Sequence, residues 1–325
     1  MRLRLRAGVC LTAAVVALPA VVLTVARLIG GAHRQIAIVQ AFAPWAIPAY
    51  LLVVLLLGAL LVRPATHRPG RRPVATAATL AGLGLVLHVT WFAPSWWGSA
   101  PDPDPSAEPL TVMTANLRFG EAEAQDVADA VADHDVDLLV LQEVTPHVLA
   151  ALEDAGIDTD LPHRAGEADR GALGTLVFSR SPVTDVRRLD TVMGSWAMTT
   201  AGLRVLAVHP AYPLDDRWGA ELAIVRDAVE DEQPDLVAGD FNASPDHAPM
   251  RAILDTGLSD AAPLVNAGWQ PTWPTAGFRG WPIPASVAID HVLVGATMTA
   301  TDTTTVTLDG TDHRALVAIV VRRAD

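Results

Sequence analysis

The sequence predicts an α/β domain over residues 110–325, preceded by three membrane-spanning helices within residues 1–97, and three observations carry that prediction. Apolar runs at 7–26, 36–62 and 74–97 each reach the length of about 20 residues that a helix needs to cross a bilayer. Beyond residue 110, short apolar runs alternate with amphipathic stretches, the pattern of strands buried between helices. The charge also divides the chain. Residues 1–98 hold nine Arg and no acid, so residues 99–325 carry the other fourteen basic residues, every one an Arg, against all 36 acids, a formal charge of −22.

The first apolar run follows Arg2, Arg4 and Arg6, a charged start that secretory signals share. Two further spans follow it without a convincing cleavage site, so it is read as a retained anchor. Arg27 and Arg34 flank the first loop, whereas Arg63, Arg68, Arg71 and Arg72 crowd the second. Counted with the N-terminal arginines, seven against two place the N-terminus inside and the C-terminal domain outside the cell. Trp91, Phe92, Trp96 and Trp97 suit the aromatic belt at the outer interface. His88 lies mid-span, where a neutral imidazole bonded to a neighbouring helix is the plainer reading than a functional group, and Ala81, Gly82 and Gly84 beside it suit close helix packing. The single Cys10 excludes an intrachain disulfide.

Residues 98–109, GSAPDPDPSAEP, cannot build a core and read as a short stiff linker. The expected strands are the runs at 110–116, 137–143, 174–179, 203–209, 235–240, 289–294 and 315–321. Trp218, Leu222, Val225 and Val229 recur at helical spacing and mark one buried helix face. Thr145-Pro146 and Ser244-Pro245 each pair a capping hydroxyl with a proline suited to a first turn, which predicts helices just after the strands ending at Glu143 and Asp240.

Asn116, Glu143, His209 and Asp240 each stand at or just beyond the end of an apolar run, where an α/β sheet presents its ligand-binding rim. Glu143, Asp240 and Asp312, with the amide oxygens of Asn116 and Asn242, supply the hard oxygen ligands that Mg²⁺ prefers. Mg²⁺ takes only one or two carboxylates directly, so the others need different work. Either Asp290 or Asp312 is placed to hold an imidazole in one tautomer and favour its charged form. His134, His147, His163 and His247 have no such context and read as surface or capping residues. Arg164, Arg170 and Arg180 read as solvated surface, with a phosphate contact as the sharper alternative.

The segments TANLRFG, LQEV, VHP, GDFNASP, IDHVLV and TDHRALV, in this order across residues 110–321, resemble the endonuclease/exonuclease/phosphatase superfamily. The resemblance implies a four-layered α/β/β/α sandwich of two mixed sheets and a divalent metal, Mg²⁺ or Mn²⁺, held chiefly by Glu143 with support from Asn116 and Asp312. It also implies that Asp240 orients or deprotonates the attacking water and that Asn242 positions the water or the phosphate. His209 and His313 would bind phosphate oxygens, with Asp290 orienting His313.

Substrate has to come from context, because the superfamily covers nucleases as well as lipid phosphatases. A formal charge of −22 and no lysine argue against nucleic acid, whose phosphates are met by basic surfaces. Three spans and a short linker favour a membrane lipid or a lipid-linked phosphate. Trp269, Trp273, Phe278 and Trp281 could meet lipid, or simply pack a Pro-rich loop over the sheet. The layout resembles membrane proteins associated with glycopeptide and teicoplanin resistance, which implies an action on undecaprenyl pyrophosphate. An anchored extracellular nuclease or phosphodiesterase, and a non-catalytic binding protein that keeps the fold, are the alternatives.

Overall fold

The apolar runs become helices or strands according to length. A computed structural model describes residues 2–31, 33–62, 70–275, 277 and 281–324; Arg63, Arg68 and Phe278 lie outside the described residues. The chain forms two units, one of residues 1–31 and 35–94, the other of residues 32–34 and 95–325.

The first unit holds α1 (Arg2–Ile29), α2 (Arg34–Gln40), α3 (Ala46–Val62) and α4 (Arg71–Phe92). Three helical stretches, Arg4–Ile29, Ala43–Val62 and Arg71–Ser95, are long and apolar enough to cross a membrane. The run expected to be continuous over 36–62 is divided. A 3₁₀ turn at Ala43–Trp45 separates α2 from α3, and Pro44 inside it lacks the N–H that a continuous helix would need. Across the helices Thr24 Oγ1 lies 2.8 Å from Tyr50 Oη and 2.9 Å from His88 Nε2, so the mid-span imidazole is satisfied by a neighbouring helix. Tyr50 packs over Gly84, where a Cβ would approach its ring to 2.6 Å, whereas Gly82 meets nothing within 4 Å.

In the second unit the chain order is β1 (Leu110–Asn116), α5 (Ala124–Asp133), β2 (Leu138–Gln142), α6 (Pro146–Asp154), α7 (Ile157–Asp160), β3 (His163–Glu167) and β4 (Thr175–Ser179). It continues with β5 (Thr184–Leu189), β6 (Ser195–Thr200), β7 (Leu203–Val208), α8 (Trp218–Glu232) and β8 (Leu236–Asp240). Then follow α9 (Ala248–Leu254), β9 (Ser259–Asp260), α10 (Ala261–Leu264), β10 (Asp290–Val294), β11 (Met298–Thr307) and β12 (Arg314–Arg322). Two mixed six-stranded sheets result, ordered β11-β12-β1-β2-β4-β3 and β5-β6-β7-β8-β10-β9.

Strand alternation builds the layers. Val112, Leu138, Val140 and Val177 of the first sheet share a core with Val205, Ala207, Leu236, Ala238 and Val292 of the second. Their neighbours Met113, Leu139 and Leu141 point the other way, onto Val127, Val131, Val148, Leu152 and Ile157 of α5, α6 and α7. The expected four-layered sandwich is the fold observed. Trp218, Leu222, Val225 and Val229 form the buried face of α8. Each strand read from the sequence is present within a residue or two; β3, β5, β6, β9 and β11 were not foreseen. Four of these five are sheet edges, where polar residues discourage further pairing and leave no continuous apolar run.

Thr145 caps α6 by accepting from Val148 N–H at 3.3 Å, with Pro146 in the first turn. The helix expected directly after Ser244-Pro245 begins later, at Ala248. His247 Nδ1 accepts the Ser244 N–H at 2.8 Å and closes a turn there, and Pro249 takes the first-turn position instead. His247 is thus buried against Trp218 rather than at the surface. His134 follows the last turn of α5 as its cap, His147 is exposed and His163 half-buried. Within the linker, Asp104 N–H donates to Arg322 O and Asp102 O accepts from Ala324 N–H, so its middle is pinned to the end of β12.

His291 was not foreseen either. It is buried, its Nδ1 lies 2.7 Å from Asp260 Oδ2 and its Nε2 lies 3.0 Å from Ala243 O. Burial lowers its proton affinity, but the Asp260 charge and hydrogen bond outweigh that and raise it above the ordinary histidine value. His291→Phe is expected to cost about 3–5 kcal/mol, because Asp260 is left buried without its partner. Denaturant unfolding of the full chain in detergent, followed by Trp fluorescence, measures this. The pair's contribution is complete below the ordinary histidine pKa of about 6.5 and declines as pH rises through the elevated folded value.

Candidate active site

Strand register brings the polar residues together. β1 and β2 run parallel with Asn116 opposite Gln142, so Glu143 emerges beside Asn116. β7 and β8 run parallel with Val208 opposite Gly239, which puts His209 beside Asp240. β10 is antiparallel to β8 and pairs Asp290 directly with Asp240. β12 is antiparallel to β1, so the β11–β12 turn delivers Asp312 and His313 to the same rim. Thr311 Oγ1 fixes that turn by donating to Asn116 O at 2.7 Å and accepting from His313 N–H at 3.1 Å.

The backbone bends sharply where chemistry is placed. Glu143 has φ 58° and Asn242 φ 49°, left-handed conformations that a β-carbon disfavours and that surrounding contacts must hold. Gly239 has φ 149°, and a Cβ there would come within 2.0 Å of Val208 O, so only glycine allows β7 and β8 this close beside Asp240.

Asn116 joins the sheets. Its Nδ2 donates to Glu143 Oε1 at 3.1 Å and to Asp240 Oδ2 at 3.0 Å, while its Oδ1 accepts from Arg118 N–H. Glu143 Oε2 accepts from Phe119 N–H at 2.7 Å. Asp240 Oδ1 accepts from Asn242 N–H at 2.7 Å, and Asn242 Nδ2 donates to Pro210 O. His313 Nδ1 lies 2.9 Å from Asp290 Oδ2, so Asp290, rather than Asp312, is the carboxylate that holds the imidazole. Asp312 Oδ2 instead accepts from Trp273 Nε1 at 3.1 Å, and its Oδ1 lies 3.9 Å from Arg118 Nε.

Asp240 Oδ2 is the centre of the array. His209 Nε2 and His313 Nε2 each lie 3.9 Å from it, too far for a hydrogen bond but close enough for one oxygen atom to touch both partners. Both ring nitrogens of His209, and Asp290 Oδ1, are buried with no hydrogen-bond partner among the described residues. Such atoms cost free energy unless a ligand meets them.

Burial and neighbouring charge separate the proton affinities. Asp240 is pushed up towards neutrality by desolvation and then by the Asp290 charge. Desolvation also raises Glu143. His209 falls to about 3, through burial and then repulsion by His313, so it is neutral. Burial opposes charging of His313, but the Asp290 charge and hydrogen bond, with Asp240 and Asp312 behind them, raise it well above the ordinary histidine range. One imidazole is neutral and the other cationic.

The eight residues expected at the site are the ones assembled here. Arg164 and Arg180 are committed elsewhere, to Glu153 and to Asp135 with Asp137, and Arg170 is exposed. Arg118 was overlooked although it lies within the TANLRFG segment. Trp273 reads from the sequence only as an aromatic, because its indole N–H meets Asp312 across 39 residues of chain.

A family model described as "Endonuclease/Exonuclease/phosphatase family" matches residues 113–313, more than half of the chain. The chain belongs to this family. It is accordingly a metal-dependent phosphoester hydrolase. Comparison with curated proteins finds no match. Among solved structures, an AP endonuclease from Archaeoglobus fulgidus superposes with a TM-score of 0.55 at 15% identity, over 64% of this chain and 98% of that one. TDP2 from D. rerio, complexed with single strand DNA product, gives 0.53 at 17% over 66% and 99%. The 3'-5' exonuclease from Neisseria meningitidis gives 0.51 at 22% over 64% and 98%. At these identities the likeness is one of fold.

The residues fit a divalent cation. Glu143 and Asp312 bring hard carboxylate oxygens, and each oxygen of Glu143 retains a lone pair beyond its single N–H contact. Asp240, Asp290 and His313 also offer ligand atoms within 4.8 Å of one another. That trio is a poorer metal site, because Asp290 holds His313 in its protonated form and an imidazolium has no lone pair to give.

Proposed function

We propose that this family member is a membrane-anchored phosphohydrolase that uses Mg²⁺, with Mn²⁺ as the alternative ion, at the outer membrane surface. Its substrate is a lipid-linked phosphate or pyrophosphate of the undecaprenyl pyrophosphate kind, as the resemblance to glycopeptide- and teicoplanin-resistance membrane proteins suggests. The observation that carries the reading is the tether. The third membrane-long stretch ends at Ser95 and β1 begins at Leu110, so the intervening chain reaches at most about 50 Å. Pairing of Asp102 and Asp104 with the end of β12 shortens it further. The formal charge of −22 over residues 99–325 supports lipid over nucleic acid.

In this reading Glu143 and Asp312 would hold the ion, with Asn116 keeping Glu143 in place, and the ion would supply positive charge to the phosphoryl oxygens. Asp240, whose raised proton affinity suits a base, aligns the attacking water and takes its proton. Asn242 positions that water or the phosphate. His313, held charged by Asp290, meets a phosphate oxygen as negative charge builds, and neutral His209 donates a hydrogen bond to the same group. Water attacks in line with the leaving group, and no covalent intermediate is needed.

Purified full-length protein is expected to release phosphate from undecaprenyl pyrophosphate in nanodiscs with Mg²⁺, and to stop when the ion is chelated. Plasmid cleavage without phosphate release would replace the lipid reading with the nuclease one. Unchanged cellular function after separate replacement of Glu143 and His313 by Ala would instead favour a non-catalytic protein. Protease added to intact cells is expected to cut the catalytic domain; cutting only after permeabilisation would reverse the topology.

A further inference from the structure

The exposed large apolar side chains of the catalytic domain are not scattered. From Phe119 onward, those among the described residues are Phe119, Leu173, Tyr212, Leu214, Trp281 and Ile283, with Val186 apart on β5. The first six all lie on loops joined to the active site. Phe119 N–H holds Glu143. Leu173 precedes Gly174, whose carbonyl accepts from Val144 N–H just beyond Glu143. Tyr212 and Leu214 follow Pro210, whose carbonyl holds Asn242. Trp281 and Ile283 lie between Trp273, bonded to Asp312, and Asp290. Trp281 is 72% exposed.

Single exposed apolar residues need no explanation, but six of them on loops that all join one site do. They sit on separate loops, which suits insertion into a deformable phase better than docking against a fixed protein surface. Tyr and Trp are the side chains that settle at a membrane interface, with an apolar body and a polar edge. Charge cannot supply attraction to an anionic bilayer when residues 99–325 carry −22, so apolar insertion has to.

We infer that this rim, with Tyr212, Leu214, Trp281 and Ile283 at its tips, inserts into the lipid interface so that the site draws its substrate directly from the bilayer. The inference rests on the lipid-linked reading and adds the surface by which the enzyme engages the membrane. It is independent of which side of the membrane the domain occupies.

The test uses full-length protein with Cys10→Ala, carrying an environment-sensitive fluorophore at Leu214→Cys, Tyr212→Cys or Trp281→Cys, with Val186→Cys as control. Each is placed in nanodiscs containing lipids quenched near the headgroup. Quenching about threefold or more above the Val186 position, at two of the three rim positions, is expected from burial of these side chains among lipid. Equal quenching at all four positions overturns the inference. So does a rim label shielded equally in detergent without quenched lipid, which would mark a contact between copies. Phosphate release from undecaprenyl pyrophosphate is read in the same nanodiscs: rim quenching without release removes the substrate reading while the docking surface stands, and release without rim quenching does the reverse.

Discussion

Glu143→Gln is expected to lower the Mg²⁺-supported rate by about 10³-fold, the scale of losing one strong electrostatic contact in a preorganised site. Gln keeps the shape and can still accept from Phe119 N–H, which holds the left-handed turn after β2, although its amide nitrogen replaces the oxygen that accepts from Asn116 Nδ2. What is lost is the negative charge that draws the cation. Two measurements separate this from a folding defect. Mg²⁺ binding by calorimetry should weaken along with the rate on bis(p-nitrophenyl) phosphate, while the unfolding midpoint of the ion-free protein stays near that of the parent. A variant that bound Mg²⁺ normally and kept its rate would remove Glu143 from the metal site.

The second large effect concerns the Asp290–His313 pair. His313→Gln should reduce the rate by about 10²–10⁴-fold, the usual range for a positioned acid-base or charge-stabilising group. Asp290→Asn should approach the same loss, because the imidazole then lacks the charge that keeps it protonated. Two residues acting as one unit do not add. The double variant should therefore be no slower than the worse single variant within about threefold, and full additivity would show that they work separately.

The pH profile follows from the same electrostatics. Asp240 works ionised, and desolvation with the Asp290 charge raises its pKa, so activity falls on the acid side while still above the ordinary carboxylate range. His313 works protonated, so the basic limb lies above the ordinary histidine range. His313→Gln should remove the basic limb and leave the acid one. Steady-state rates across pH, at saturating Mg²⁺, read both limbs.

Much of this was legible in the chain. Apolar length alone marks the three membrane-long helices, and since water is absent from a bilayer core, length and composition are the physical requirement itself. Buried central strands such as Leu236–Asp240 and Arg314–Arg322 announce themselves because both faces must be apolar. The polar residues that interrupt this pattern at strand ends, Asn116, Glu143, His209 and Asp240, stand out for the same reason. The exposed edge strand Thr184–Leu189 does not, because its polar surface looks like a loop when read one residue at a time.

Local composition is enough to show which residues are available for chemistry and that three helices long and apolar enough to cross a membrane precede them. Folding is what assigns each carboxylate its partner. Asp290 and Asp312 both lie within 23 residues of His313, yet register across β8, β10 and β12 gives His313 to Asp290 and leaves Asp312 to Trp273 and Arg118. The neutral His209, the buried His291–Asp260 pair and the apolar rim around the site are likewise products of folding. Proton affinity and exposure depend on what packs nearby, and those neighbours come from distant parts of the chain.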